Sequence, residues 1–252
     1  VTRDVVTALS ALAPLPDDDF SASGDVELQP LGKIQQLTGA FLGRNWVTIP
    51  HVTHHDEVDV SAAEQRRSEW SAAHPEAKLT PVALQVKALA RALVEMPQFN
   101  ASLSQDGKTL ILKRFVNIGV AVDTPRGLLV PVIAGANEKS LPEIASALAQ
   151  LAEKARSKGL SMAEMSGGCI TLSSLGHIGG TSFTPIINAP ELAILGTLAM
   201  RQAPVPDPDG GIAWRTLLPL SLSYDHRVIN GSDAARFVRA VGGALNDPAL
   251  FA

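Results

Sequence analysis

The alternation of apolar and polar positions separates a featureless beginning from a regular remainder. Residues 1–9 (VTRDVVTAL) read as a short helix or the end of one. Residues 13–27 are rich in Pro, Asp, Ser, Ala and Gly and keep no apolar period, so burial cannot offset the entropy of ordering them. We therefore expect a flexible linker over 10–27 and a compact domain over 28–252. Leu31, Ile34, Leu37, Phe41 and Leu42 stand near helical spacing and predict a helix over 31–43. Trp46–Val60, rich in Val, Ile and Thr, predicts a strand, with Pro50 pointing to an edge or a bulge. A charged helix follows over 61–73, ended by His74-Pro75. Thr80-Pro81 places an N-cap before a proline at the first helical position. The stripe Leu84, Ala88, Leu89, Ala92 and Leu93 continues that helix to Met96-Pro97.

Short apolar runs then predict strands at Thr109–Lys113, Val116–Asp123 and Leu128–Ile133, with a turn at Pro125-Arg126-Gly127. Ser140 and Glu143 form a capping box. It opens the most regular helix, on Leu141, Ile144, Ala145, Leu148, Leu151, Ala152 and Ala155, which Gly159 ends. Strands follow at Cys169–Ser174, Glu191–Ala199 and Ile212–Asp225, the last entered through a PDPDGG hairpin turn at 206–211. A final helix carries Ala234, Phe237, Val238, Val241 and Leu245 and stops before Asp247-Pro248. Several strands follow one another, with no internal repeat and no βαβ alternation. This order predicts an α+β fold, a two-layer sandwich of a mixed sheet with helices on one side.

Composition narrows the function classes. At 46% hydrophobic but 4% aromatic, the core must be largely aliphatic. A net charge of −4 offers no electrostatic footprint for nucleic acid. The single cysteine, Cys169, excludes a disulfide framework or a CxxC metal site and suits a reducing compartment. No apolar run approaches the ~20 residues of a membrane span. The chain does not begin with Met, so its numbering is expected to start inside a longer protein.

The chemistry concentrates in Ser221–Gly231. An alternating strand, with Leu218, Leu220, Leu222 and Tyr224 on one parity, runs into a polar turn that carries His226 beside Asp225, Arg227 and Asn230. A histidine between a strand end and a helix start acts as a base when one ring nitrogen is held and the other is free. His51 and His55 have the i, i+4 spacing of zinc ligands on a helix, but on a strand that spacing spans roughly 13 Å. His54-His55 with Asp59 resembles the HHxxxDG motif of condensation enzymes, although Val60 stands where glycine is needed. Gly176–Gly180 lacks the lysine of a phosphate-binding loop and reads as a close-approach turn. Ser173 and Ser174 precede it, and no G-x-S-x-G elbow exists to suggest a serine hydrolase. Cys169, flanked by apolar residues, reads as a buried inert thiol.

Asp225-His226-Arg227-Val228-Ile229-Asn230-Gly231 closely resembles the DHRxxDG signature of the dihydrolipoamide acyltransferases, the cores of 2-oxo acid dehydrogenase complexes. More distantly it is similar to chloramphenicol acetyltransferase. The stretches 97–101, 127–132, 171–176, 184–188 and 193–196 resemble further blocks of the family. Residues 1–9 resemble the tail of its peripheral subunit-binding domain. Val228, Ile229, Asn230, Gly231, Asp233, Ala235, Arg236 and Phe237 look most like the pyruvate-type, acetyl-transferring members.

The resemblance implies a chloramphenicol-acetyltransferase-like fold and acetyl transfer between a dihydrolipoyl thiol and coenzyme A. The lipoyl group would ride on a separate upstream domain. His226 would be the general base, and a serine at the end of the Cys169–Ser174 strand would steady the tetrahedral oxyanion. Ser174 is the expected donor, with Ser173 on the opposite face as the other possibility. The resemblance further implies a homotrimer with its sites between subunits, assembled into a cage of about 24 chains. Partners would be the 2-oxo acid dehydrogenase and dihydrolipoamide dehydrogenase components and the lipoyl domain, in a bacterial cytoplasm or a mitochondrial matrix. Asn230 departs from the usual Asp. Either the family's carboxylate is chiefly a positioning group that Asn replaces, the reading favoured here, or the chain is a weakened member. Alternatives to an enzymatic core are a non-catalytic scaffold and a diffusible small-molecule acetyltransferase.

Overall fold

A computed structural model describes residues 19–75, 78–125 and 127–251. The helix expected over 1–9 and the first part of the linker lie outside the described residues. Past a 3-10 turn at Phe20–Ala22, residues 24–32 carry no regular element. The helices are α1 (Lys33–Thr48), α2 (Ser61–Ala73), α3 (Pro81–Glu95), α4 (Leu141–Ser157) and α5 (Gly231–Asn246). The strands are β1 (His51–Asp59), β2 (Ala101–Leu103), β3 (Leu110–Leu112), β4 (Ile118–Val120), β5 (Val132–Ile133), β6 (Ile170–Ser174), β7 (Ala193–Thr197), β8 (Arg201–Pro206) and β9 (Ile212–Asp225).

The main sheet has the order β1-β9-β7-β6-β4-β5, and β8 pairs with the first half of β9. The pairs β4/β6 and β6/β7 are parallel and the others antiparallel, so the sheet is mixed as expected. β2 and β3 form a separate hairpin. The fourteen-residue β9 organises the layer, because its two parities face different surroundings. Leu218, Leu220, Leu222 and Tyr224 join one core cluster with residues of α3 and α5. Burial of each such side chain contributes roughly 1.5–3 kcal/mol. Ser221, Ser223 and Asp225 face the other way and are buried beneath the 181–192 segment, whose Phe183 amide donates to Ser221 Oγ. In the core, Phe99 and Phe237 stack with centroids 4.0 Å apart.

The Ser140–Glu143 capping box and the Thr80-Pro81 start form as expected. β1 is an edge strand, in keeping with Pro50. Other expectations need correction. The first helix does not stop at 43 and the next strand does not start at Trp46: α1 continues to Thr48 and β1 begins at His51. Gly43 is tolerated inside the helix. The stop comes from Pro50, which disfavours helical backbone at Ile49, held extended at φ −109°, ψ 118°. The three strands expected over 109–133 shrink to β3, β4 and β5, with one isolated bridge between Val122 and Leu129. Pro131 lacks the N–H that would extend the ladder, and its carbonyl takes the Val120 amide instead. The strand expected over 191–199 is β7 alone, leaving Glu191 and Leu192 in the preceding segment. Cys169 lies just ahead of β6, although it is buried as expected. β2 and β8 were not anticipated. β2 is very short, and Pro204 and Pro206 hide β8, whose only partner among the described residues is β9.

α5 crosses β1 at Gly242, where a Cβ would come within 2.9 Å of both Val58 methyl carbons. Gly242→Ala forces this contact apart in the close-packed core and is expected to cost about 1–3 kcal/mol. A lowered urea midpoint relative to wild type is the expected observation; an unchanged midpoint would show that the layer can yield there.

Candidate active site

His226 begins the turn that joins β9 to α5, and its neighbours fix the backbone on all sides. The Asp225 amide donates to the Leu192 carbonyl at 2.9 Å, and the His226 amide donates to the Pro50 carbonyl at 3.1 Å. The Val228 and Ile229 amides both donate to the Asp225 carbonyl, at 3.1 and 3.0 Å. The imidazole itself is exposed, tilted against Tyr224 with ring centroids 5.8 Å apart. Among the described residues no hydrogen bond holds its ring nitrogens, so both are open to a ligand or to another chain.

Asn230 is the N-cap of α5. Its Oδ1 accepts from the Asp233 amide at 2.9 Å and from the Ser232 hydroxyl at 2.6 Å. An uncharged amide oxygen suffices for that task, and an aspartate at the same place would cap equally well. Asn230 thereby fixes where the helix begins, four residues after the histidine.

Ser174 ends β6 and Ser173 precedes it, half-buried and on opposite faces. Ser174 pairs with Thr197, on the side of the helices, where the Thr197 hydroxyl donates to Gln85. Ser173 pairs with Gly196, on the side covered by Phe183. Among the described residues neither hydroxyl has a hydrogen-bond partner.

The register separates Ser174 from His226. Ser174 is level with Thr197, and Thr197 is level with Leu220 of β9. Asp225 lies five residues further along that strand, roughly 17 Å at strand spacing, and His226 lies beyond it. Two further strand spacings lie between β6 and β9 across the sheet. Within one chain the base and the hydroxyl do not reach the same atom, whereas His226 and Asn230 share one turn.

Beside the His226 turn lies a cavity of about 320 Å³, lined in part by Arg44, Gln105, Pro190, Glu191, Asp225 and Arg227. Reasoning from the sequence missed Glu191. It is 4% exposed, its carboxylate accepts from the Thr171 hydroxyl at 2.7 Å and from the Asn188 side-chain amide at 3.4 Å, and the Lys113 charge favours its ionised form. Gly168 leaves it room, since a Cβ there would sit 2.6 Å from Glu191 Oε1. Burial outweighs these partners and pushes the Glu191 pKa up to about 7. Its sequence context, a glutamate between a proline and an apolar strand start, carries no signal of burial.

The remaining candidates are structural. His51 uses both ring nitrogens, Nδ1 donating to the Ile49 carbonyl at 2.8 Å and Nε2 accepting the Ile187 amide at 3.0 Å. His55 Nδ1 meets the buried Ser221 hydroxyl at 2.9 Å. Among the described residues no group of three or more His, Cys, Asp or Glu side chains is placed to hold a metal. Burial raises the Cys169 thiol pKa. The 175–180 stretch is a turn closed by the Ile178 and Gly179 amides on the Leu175 carbonyl. No helix among the described residues is long and apolar enough to cross a membrane.

Residues 23–252 match the family described as 2-oxoacid dehydrogenases acyltransferase (catalytic domain). A Pseudomonas aeruginosa relative, the dihydrolipoyllysine-residue acetyltransferase component of pyruvate dehydrogenase complex, is 50% identical over 245 residues and 96% of this chain. The chain spans 44% of that relative's length. The solved structure of Azotobacter vinelandii dihydrolipoamide acetyltransferase superposes with TM-score 0.92 at 47% identity, covering 96% of this chain and 100% of that one. That work concerns the role of a serine, a histidine 52 positions on and an asparagine four further in the catalytic mechanism. The cubic core of the pyruvate dehydrogenase multienzyme complex also superposes with TM-score 0.92, at 48% identity over 96% of this chain and 100% of that one. A chloramphenicol acetyltransferase, 18% identical, shares the fold at TM-score 0.56, covering 78% of this chain and 89% of that one.

The Glu191 pKa of about 7 lies above the ordinary glutamate value of 4.5, so the fold favours the protonated acid. Its contribution to stability is complete below the unfolded pKa and is lost as pH rises through about 7. Glu191→Gln keeps a neutral hydrogen-bonding group and removes that loss. Between pH 5 and pH 8 the wild type is expected to lose up to about 3 kcal/mol relative to this variant. Urea midpoints of both proteins at the two pH values measure the difference; parallel midpoints would mean that Glu191 is ionised throughout.

Proposed function

Since this chain belongs to the 2-oxoacid dehydrogenase acyltransferases, we propose that it is the acetyl-transferring catalytic domain of a pyruvate dehydrogenase complex. It moves acetyl between a dihydrolipoyl thiol and coenzyme A, the lipoyl group being carried by a separate domain. The observation that carries the reading is one of spacing. Ser174, His226 and Asn230 stand 52 and four positions apart, as do the serine, histidine and asparagine studied in the Azotobacter vinelandii enzyme.

In this reading His226 is the general base. A thiol with a pKa near ~8.5 is only a few per cent thiolate at neutral pH, so proton removal as it attacks accelerates the step by about 10² to 10⁴. The Ser174 hydroxyl donates to the oxyanion that forms on the thioester carbonyl, an interaction worth roughly 3–4 kcal/mol in the transition state. Asn230 positions the turn as the cap of α5 and needs no charge. His226 and Ser174 come from neighbouring chains of a homotrimer, a reading supported by their separation along β9. Exposed Leu37, Trp46, Ile178, Ile212 and Trp214 supply apolar surface for such contacts.

Trimers assemble into a cage of about 24 chains. The partners are the 2-oxo acid dehydrogenase and dihydrolipoamide dehydrogenase components and the lipoyl domain. Residues 1–9 resemble the tail of a peripheral subunit-binding domain, with a linker over 10–27 leading to the catalytic domain. The bacterial relatives support a bacterial cytoplasm.

Acetyl transfer from acetyl-coenzyme A to free dihydrolipoamide tests the assignment. His226→Ala is expected to lower kcat by about 10² to 10⁴ and Ser174→Ala by about 10² to 10³. Asn230→Asp is expected to stay active, whereas Asn230→Ala loses the cap and about 1 kcal/mol of stability. Equal rates in wild type and His226→Ala would leave a non-catalytic scaffold. A lone trimer in light scattering would point to a diffusible enzyme.

A further inference from the structure

The carboxylate of Asp225 reaches over His226 to the next residue. Asp225 Oδ1 accepts from the Arg227 amide at 3.0 Å and from Arg227 Nε at 2.9 Å, and Oδ2 accepts from Nη2 at 2.6 Å. The backbone of His226 is therefore the middle of a loop closed at both ends by one side chain. Asp225 is 1% exposed, while the Arg227 side chain is 45% exposed and borders the cavity. A buried carboxylate without a cation is costly, so the guanidinium has a strong reason to stay in place. The same contact raises the Arg227 pKa further. Each remaining polar backbone contact around His226 also runs to a fixed element: Pro50 ahead of β1, Leu192 ahead of β7, and the first turn after Asp225. No hydrogen bond holds the ring among the described residues, so its aim rests on this backbone. Leu192 and Pro50 grip the start of the turn; the Asp225–Arg227 fork grips its middle.

We propose that Arg227 is a positioning residue for the acyl-transfer reaction: its fork onto buried Asp225 locks the turn that aims His226 into the cleft shared with a neighbouring chain. The inference rests on the function proposed above. Arg227 touches neither substrate nor the transferred proton; it removes the freedom of the segment that carries the base. Small displacements of a catalytic group cost about 10²-fold in rate, so the effect belongs in kcat and not in KM.

The test is steady-state acetyl transfer by the assembled protein, with wild type, Arg227→Ala, Arg227→Lys and His226→Ala in parallel. Arg227→Ala is expected to lower kcat ~10- to 100-fold and to leave both KM values within ~threefold. Millimolar guanidinium ion, which has access through the cavity, is expected to restore part of that kcat, and equal sodium chloride is not. Arg227→Lys keeps the charge but cannot fork, and is expected to fall between wild type and Arg227→Ala. Wild-type kcat in both variants overturns the proposal. So does a loss confined to the coenzyme A KM, which would make Arg227 a phosphate ligand, or a kcat loss in an intact assembly that guanidinium leaves untouched. If Arg227→Ala does not assemble, Arg227→Lys decides by its kcat alone. An active His226→Ala would instead sink the assigned reaction and leave the role of the fork to that variant pair's stability.

Discussion

The register of β9 against its neighbours is the constraint on which the site depends. A ladder of hydrogen bonds fixes Leu220 beside Thr197 and Tyr224 beside Ala193, and β6 is fixed in turn against β7. A one-residue slip would turn Leu218, Leu220 and Leu222 out of the core and bring Ser221 and Ser223 into it. The apolar face therefore holds the register, and the register holds Ser174 and His226 at opposite ends of the strands. A composite site between chains follows from this spacing once both residues are assigned to one reaction.

The polar face of the same strand carries a second consequence. Ser221, Ser223 and Asp225 are polar and buried, so each needs a hydrogen-bonding partner. Ser223 finds Thr53, Ser221 finds His55 and the Phe183 amide, and Asp225 finds Arg227. The 181–192 segment is pinned over this face by His51 and Asn45, which hold Ile187 from both sides. That segment then supplies Leu192 to the backbone beside His226 and Glu191 to the cavity wall. Packing over the sheet and placement of the base thus draw on the same contacts. The polar residues on β9 are what link them.

Much of this was legible in the sequence, and the gaps have physical causes. The helix α2 was legible from its charge and its His74-Pro75 end, whereas periodicity located α3 to α5 and the alternating β9. It failed at Trp46–Thr48, where aromatic and β-branched residues lie at the end of a helix. It failed again at β8, whose prolines are acceptable only because one edge is unpaired. His226 was visible as a lone polar stop after an alternating strand. Its dependence on Arg227 was not, because DHR reads equally well as three exposed residues until Asp225 proves buried. Glu191 gave no sign at all: a buried acid is set by its three-dimensional partners Thr171, Asn188 and Gly168, which are scattered over some twenty positions.

The central claim, that base and oxyanion donor come from different chains, has a direct test. His226→Ala and Ser174→Ala chains, each inactive alone, are co-expressed under separate tags and purified as mixed assemblies. With random mixing, a site between a chain with intact His226 and a neighbour with intact Ser174 forms about one time in four, so about a quarter of wild-type acetyl transfer is predicted. Activity in the mixed assemblies no higher than in either parent would contradict the account.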